Sequence, residues 1–166
     1  MHYIQRILTK KLQNTTNTFS ATYLSGARQC GKSTLVQHLL SLKNTNYLTF
    51  DTATIRTAAK KDPEVFISSL PADKLNIIDE VQRVPAVHLS IKKAVDEKRL
   101  AGKGKGTFLL TGSANIFGLP KLAKSMVGRM AVLTLYPFST AEINNSSKNF
   151  IERLWEDDLL FKKGAA

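Results

Sequence analysis

The chain has 166 residues and a formal charge of +11, from 24 Lys and Arg against 13 Asp and Glu. This length allows one domain with a single apolar core, and a hydrophobic share of 43% excludes a disordered or fibrous chain. One cysteine, Cys30, excludes an internal disulfide and a zinc site of paired cysteines. Because the chain lacks a signal-peptide core and any run of about 18 apolar residues, we expect a cytoplasmic protein without a membrane span.

The positive charge is densest between Lys92 and Arg129, a stretch that contains nine basic and two acidic residues. Such a stretch is most often a lysine-rich surface kept in solvent for solubility, and it also occurs in surfaces that contact nucleic-acid phosphates. Composition leaves both interpretations open, so nucleic acid is a partner to test. The basic residues are Lys92, Lys93, Lys98, Arg99, Lys103, Lys105, Lys121, Lys124 and Arg129.

Short apolar runs alternate with helical patterns along the chain. A helix is predicted after the glycine-rich segment that ends at residue 33, another begins near Pro63, and a third is marked by apolar spacing over 87–95. This alternation predicts an α/β fold, a three-layer αβα sandwich with a five-stranded parallel sheet. The predicted strands are 20–25, 47–51, 75–79, 107–111 and 130–136.

Beyond Pro137 the sequence pattern changes. Ser139 and Glu142 have the spacing of a capping box, and apolar residues recur at helical spacing from Phe150 to Leu159. We therefore expect one α/β domain over residues 1–138 and a helical extension over 139–166, the start of a lid or of a further domain.

Residues 26–33, Gly-Ala-Arg-Gln-Cys-Gly-Lys-Ser, match the phosphate-loop pattern GxxxxGK[ST] at every fixed position. They lie after a predicted strand and before a predicted helix, as the pattern requires. Its glycines let backbone N–H groups turn toward phosphate oxygens, and the helix N-terminus adds a partial positive charge. Lys32 is expected to reach the β- and γ-phosphates, and Ser33 to ligate Mg²⁺. The predicted nucleotide ligands are Gly26, Ala27, Arg28, Gln29, Cys30, Gly31, Lys32, Ser33 and Thr34.

Two carboxylates close the predicted strand 75–79. Asp79, at the carboxyl end of the strand, can hold a hydrated Mg²⁺ that faces the phosphate loop. Glu80 can then polarise a water for in-line attack on the γ-phosphate. The pair predicts hydrolysis of ATP, with Ser33 and Asp79 as the metal ligands.

Further candidates lie near two other strand ends. The run 107–111 leads into small polar residues, and Thr111, Ser113 or Asn115 can bond the γ-phosphate or the attacking water; we favour Ser113. Arg129, just before the last strand, is either an ordinary salt-bridged arginine or a group that reaches a phosphate of its own subunit or of a neighbour. The expected catalytic residues are Glu80, Lys32, Ser113 and Arg129.

These segments together resemble the AAA+ ATPases, and among them a group from bacteria and archaea whose nucleotide-binding domain precedes a separate C-terminal domain. The resemblance spans nearly the whole chain and rests on GARQCGKST (26–34), IIDEVQ (77–82), LLTGS (109–113), Gly-Arg (128–129) and LYPFS (135–139). It implies a P-loop NTPase core of the AAA+ type that takes ATP and Mg²⁺ and associates as a homo-oligomer. By this resemblance the Walker A residues are Lys32, Ser33 and Thr34, the Walker B pair is Asp79 and Glu80, the sensor is Ser113 and the arginine finger is Arg129.

The expected activity is ATP hydrolysis coupled to remodelling of a nucleic-acid or protein partner. We expect the isolated chain to be slow, because a lid with a second sensor arginine is absent or reduced to the helix near Trp155. Residues 79–82 also match the DExQ box of helicases, but 166 residues leave no room for a second motor domain. No GTPase or ABC signature occurs in the expected place. The alternatives are a small-molecule phosphotransferase and a nucleotide-dependent binding module with little or no hydrolysis.

Overall fold

The computed structural model describes residues 3–40, 44–102, 104–113 and 126–145, and within them five parallel strands form one sheet. The strands are β1 (Ala21–Ser25), β2 (Thr45–Thr49), β3 (Leu75–Asp79), β4 (Phe108–Gly112) and β5 (Met130–Thr134). Their spatial order is β2-β3-β4-β1-β5. The helices are α1 (Leu8–Thr18), α2 (Lys32–Leu40), α3 (Ala53–Lys61), α4 (Pro63–Ser68), α5 (Val87–Leu100) and α6 (Thr140–Ile143), with a 3₁₀ turn at Val81–Arg83.

Every residue of the three central strands, β1, β3 and β4, is buried. The edge strands β2 and β5 are partly exposed. Burial on both sides explains why the central strands read as continuous apolar runs rather than as alternating patterns. The fold prediction is confirmed, with strand ends within about two residues of those expected.

Two apolar clusters lie on opposite faces of the sheet, so that the neighbouring residues Ile77 and Ile78 point into different clusters. Helices α1 and α2 pack on one face through Leu12, Leu35 and their neighbours. Helices α3, α4 and α5 pack on the other face. The molecule therefore has the three layers that the alternating pattern predicts.

Helices α1 and α3 are not predicted by the sequence pattern. Helix α1 is rich in Thr and Asn, which are poor helix formers, and buries only Leu12 with two threonines. Helix α3 buries only Ala59. Packing against the rest of the fold, rather than intrinsic preference, therefore stabilises α1, whereas α3 is rich in Ala, Lys and Arg, which favour helix.

Two predicted helix starts are confirmed by their caps. Asp62 Oδ1 accepts hydrogen bonds from the N–H groups of Glu64 and Val65, at 3.1 and 2.9 Å, before Pro63 opens α4. Ser139 and Glu142 form the expected capping box at α6. The predicted helix at 150–159, with Trp155, lies outside the described residues. Among the helices that the structure describes, none is long and apolar enough to cross a membrane.

Candidate functional site

The phosphate-loop segment joins the carboxyl end of β1, an inner strand of the sheet, to the start of α2. Its backbone is left-handed at Gln29 (φ 63°) and Gly31 (φ 93°). A Cβ added to Gly26 would overlap the carbonyl oxygen of Leu135 and lie 2.9 Å from Cys30 Sγ. Close backbone approach therefore requires glycine at position 26, and the turn favours glycine at position 31.

Lys32 is only 5% exposed, and its Nζ donates to the carbonyl oxygens of Gly26 at 2.9 Å and Ala27 at 2.8 Å. The ammonium group thus lies inside the curve of the loop, where α2 begins. A cleft of about 700 Å³ opens beside it. The cleft is lined by Arg28, Gln29, Gly31, Lys32, Ser33, Thr34 and Glu80.

Asp79 is nearly fully buried at the end of β3, and both of its carboxylate oxygens accept hydrogen bonds. Oδ2 accepts from Ser33 Oγ at 3.0 Å and from the phenol of Tyr47 at 2.9 Å. Oδ1 accepts from Thr111 Oγ1 and from the Glu80 N–H, the latter at 3.2 Å. The aspartate is therefore connected to the phosphate loop and to both neighbouring strands.

These oxygen donors fit Mg²⁺. The ion prefers hard oxygen ligands and is usually held by one or two protein oxygens together with phosphates. Ser33 and Asp79 bring a hydroxyl and a carboxylate within 3.0 Å of each other beside the loop. Thr111, one of the three predicted γ-phosphate contacts, instead donates to Asp79.

The carboxylate of Glu80 lines the cleft and accepts a short hydrogen bond from Gln82 Nε2. The same Gln82 nitrogen donates to Ser113 Oγ at 3.2 Å, so the glutamine links two residues that the sequence singled out separately. Glu80 itself is left-handed, with φ 56°. The sequence analysis assigns Gln82 no role of its own. Asn115, the remaining alternative to Ser113, lies outside the described residues.

Two tyrosines lie near these carboxylates. Burial, and then the negative charge of Glu80, raise the pKa of Tyr23 to about 12. Burial, followed by the hydrogen bond to Asp79, raises the pKa of Tyr47 well above its ordinary value. Both phenols are therefore neutral at physiological pH. A Cβ at Gly112 would overlap the Tyr23 hydroxyl, so this glycine makes room for the phenol.

Arg129 lies at the amino ends of the strands, just before β5, whereas the phosphate loop lies at their carboxyl ends, just after β1. Met130, the next residue, pairs with Ala21 at the start of β1, whereas the loop follows the end of β1. Five strand residues, about 16 Å at 3.3 Å each, separate these two ends of the strands. The guanidinium is ion-paired with Asp96 and also donates to the Val127 carbonyl at 3.1 Å. Of the two predicted targets, a phosphate of its own subunit is out of reach.

Several side chains of the basic stretch are engaged within the molecule. Lys93 pairs with Glu64, Lys98 donates to the Ala72 carbonyl at 3.0 Å, and Arg99 donates to the Gly128 carbonyl at 3.2 Å. Lys103, Lys121 and Lys124 lie outside the described residues. These contacts favour the solvated-surface interpretation for part of the stretch, and nucleic-acid binding stays a prediction.

Comparison with known proteins gives one family and a set of similar folds. The model of a family described as "AAA domain" matches residues 18–144. The Walker-type ATPase PABY2304 of Pyrococcus abyssi is 14% identical, with a TM-score of 0.60 over 95% of this chain and 63% of that one. A DNA replication initiation factor is 15% identical, with a TM-score of 0.56 over 93% and 51%.

RuvB of Thermotoga maritima is 20% identical, with a TM-score of 0.52 over 83% of this chain and 47% of that one. At these identities the likeness concerns the fold alone. The chain spans between about half and two thirds of the length of these three proteins. A sequence search of curated proteins finds no match.

Proposed function

The chain belongs to the AAA domain family, and from that premise we propose that it binds ATP with Mg²⁺ and hydrolyses it to ADP and phosphate. One observation carries the proposal. The fold brings Lys32, the hydrogen-bonded pair of Ser33 and Asp79, and Glu80 together at one edge of the sheet, from two segments far apart in sequence. The crevice outside the carboxyl ends of parallel strands is where α/β proteins bind ligands.

Each group has a distinct part in the proposed reaction. The loop N–H groups and the Lys32 ammonium bind the phosphates, and Ser33 and Asp79 hold the metal. Bound Mg²⁺ supplies positive charge that stabilises the phosphates as negative charge shifts toward the leaving group. Glu80 accepts a proton from the water that attacks the γ-phosphorus, and ADP leaves.

Gln82 and Ser113 complete the proposed machinery by orienting the base. The hydrogen bond from Gln82 fixes the Glu80 carboxylate, and the second bond from Gln82 connects that carboxylate to Ser113 at the end of β4. Ser113 then contacts the γ-phosphate or the attacking water. This arrangement favours water as the phosphoryl acceptor over a small-molecule hydroxyl.

The nucleobase is proposed to occupy a mostly apolar cleft of about 370 Å³ next to the loop. Two observations support this location: Arg6, on the wall of the cleft, donates to the Cys30 carbonyl of the loop, and the backbone carbonyl of Leu135 lies against Gly26. An apolar lining suits a base, whose faces are poorly solvated. The lining residues are Arg6, Ile7, Leu8, Lys11, Thr134, Leu135, Tyr136, Pro137, Ser139 and Glu142.

The partner and the wider organisation are part of the same proposal. Hydrolysis is coupled to remodelling of a nucleic-acid or protein partner, and residues 139–166 extend a nucleotide-binding domain at 1–138. The capping box at Ser139, where a new helix begins, supports a boundary at this point.

Lys32→Ala tests nucleotide binding. Because Lys32 supplies the cationic contact inside the loop, titration calorimetry with Mg-ATP should show no measurable binding by the variant. Lys60→Ala, which removes an exposed lysine of α3, should bind like the parent. Unchanged affinity in Lys32→Ala would contradict the assignment. Single-turnover phosphate release by the parent then separates an ATPase from a binding module that does not hydrolyse ATP.

A further inference from the structure

Strand β2 contributes one side chain to the candidate metal site. Tyr47 pairs in register with Ile77, so its side chain shares a face of the sheet with Asp79, two residues further along β3. The phenol reaches forward along the strand, and its hydroxyl donates to Asp79 Oδ2 at 2.9 Å. Nothing in the local sequence around residue 47 indicates this contact.

The carboxylate of Asp79 has four donors, two on each oxygen. Ser33 and Tyr47 share Oδ2, whereas Thr111 and the Glu80 N–H share Oδ1. A donor on the β2 side therefore sets which lone pair of Oδ2 is left for the Ser33 hydroxyl. Without it, Thr111 and the Glu80 N–H still hold Oδ1, but the Ser33 hydroxyl is the one remaining donor to Oδ2 among these four, so the position of Oδ2 is less closely defined.

Packing alone does not explain the Tyr47 hydroxyl. The ring lies against the apolar cluster beneath α2, a contact that phenylalanine would make equally well. The hydroxyl is explained by the aspartate. A phenol is also a suitable donor there because it is uncharged, so it orients the carboxylate without neutralising the negative charge that attracts a cation.

We propose that Tyr47 is a positioning residue of the magnesium site, whose hydrogen bond to Asp79 Oδ2 holds the carboxylate and the Ser33 hydroxyl in one orientation. The inference rests on the proposed function, because it concerns how the Mg-nucleotide is held. Removing a hydrogen-bond partner of a metal-binding group typically lowers metal affinity by 10–100-fold. The loss concerns Mg²⁺ affinity alone, because Lys32 and the loop keep their own contacts with the phosphates.

Tyr47→Phe removes the hydroxyl and keeps the ring. A fluorescent ADP analogue is titrated at increasing Mg²⁺ and, separately, in excess EDTA. The Mg²⁺ concentration that gives half of the full affinity gain should rise roughly tenfold in the variant. Affinity in EDTA should be unchanged. This split between metal-dependent and metal-independent binding would not arise from a general loosening of the fold.

Tyr3→Phe is the matched control, because the Tyr3 hydroxyl is buried and has no hydrogen-bond partner within the described part of the chain. It should have the Mg²⁺ requirement of the parent, and urea unfolding should show both variants folded. An unchanged or lower Mg²⁺ requirement in Tyr47→Phe overturns the inference, as does an equal loss with Mg²⁺ and with EDTA. Absence of Mg²⁺-dependent nucleotide binding in the parent overturns the proposed function itself.

Discussion

Glu80 shows how one residue connects the proposed metal site to the proposed base. A left-handed backbone costs a non-glycine residue roughly 1–2 kcal/mol, so the conformation must be held by its surroundings. The Glu80 N–H donates to Asp79 Oδ1 at 3.2 Å and to Thr111 Oγ1 at 3.4 Å. The direction of the glutamate side chain is therefore set by the same carboxylate that faces Ser33.

Glu80→Gln should keep ATP binding and lose hydrolysis. The amide preserves shape and size but cannot accept a proton from water, and positioned general bases contribute about 10²–10⁴-fold to rates. Calorimetry measures the retained binding, and single-turnover phosphate release measures the loss. Glu97→Gln, on the exposed side of α5, is the control and should leave the rate unchanged. Release at the parental rate in Glu80→Gln would place the base elsewhere.

At the scale of elements, Arg6 connects three parts of the chain. Its guanidinium donates to the Cys30 carbonyl at 2.8 Å, the Tyr136 carbonyl at 2.6 Å and Glu142 Oε1 at 3.0 Å. It also stacks over the Phe138 ring at 4.3 Å. The segment before α1, the phosphate loop and the start of α6 are therefore held together around a buried ion pair.

The carboxylate of Glu142 is held ionised within this unit. Burial by itself would raise its pKa, but hydrogen bonds from the N–H groups of Ser139 and Ile7, and from Arg6, outweigh burial and lower the pKa. A lowered pKa in the folded state means that the charged form stabilises the fold above the unfolded pKa. That stabilisation is lost as the pH falls through the folded pKa.

Glu142→Gln should therefore destabilise the protein most at neutral pH. Hydrogen bonds to charged groups contribute about 1.5–3 kcal/mol, so a loss of about 2 kcal/mol is expected there. Urea unfolding at several pH values should show the difference from the parent shrinking on acidification. Glu64→Gln, which removes an exposed partner of Lys93, should change little at any pH. A pH-independent difference for Glu142→Gln would contradict the argument.

The parts of the site that the sequence predicts are those written in contiguous residues at strand ends. Once the strands are parallel, the segments 26–33 and 79–80 must meet at one edge. The parts it does not predict depend on distant contacts. Arg6 and Glu142 are 136 positions apart, and Tyr47 and Asp79 are 32 apart, so their pairing needs the strand order. Helix α1 escapes prediction because packing, not propensity, makes its threonines helical.

At the scale of the whole molecule, the length of the strands separates Arg129 from the phosphate loop of the same chain. An arginine supplied by a neighbouring subunit is worth roughly 10³–10⁵ in rate for phosphoryl transfer. Hydrolysis per subunit should therefore rise with protein concentration and fall by a similar factor in Arg129→Ala. Lys93→Ala, which removes an exposed lysine of α5, is the control. A rate per subunit that is independent of dilution and of Arg129 would show that one chain holds a complete site.

The same separation gives any such association a direction. A contact that joins the amino ends of the strands in one subunit to the carboxyl ends of the strands in the next uses two different surfaces. It is therefore head-to-tail rather than two-fold symmetric. An open row of n copies then contains n − 1 sites with an arginine from a neighbour, and its last subunit always lacks one. A closed ring of the same n copies has n. Ring closure therefore completes the terminal site without a new kind of contact, and the gain per subunit is largest for the smallest assemblies.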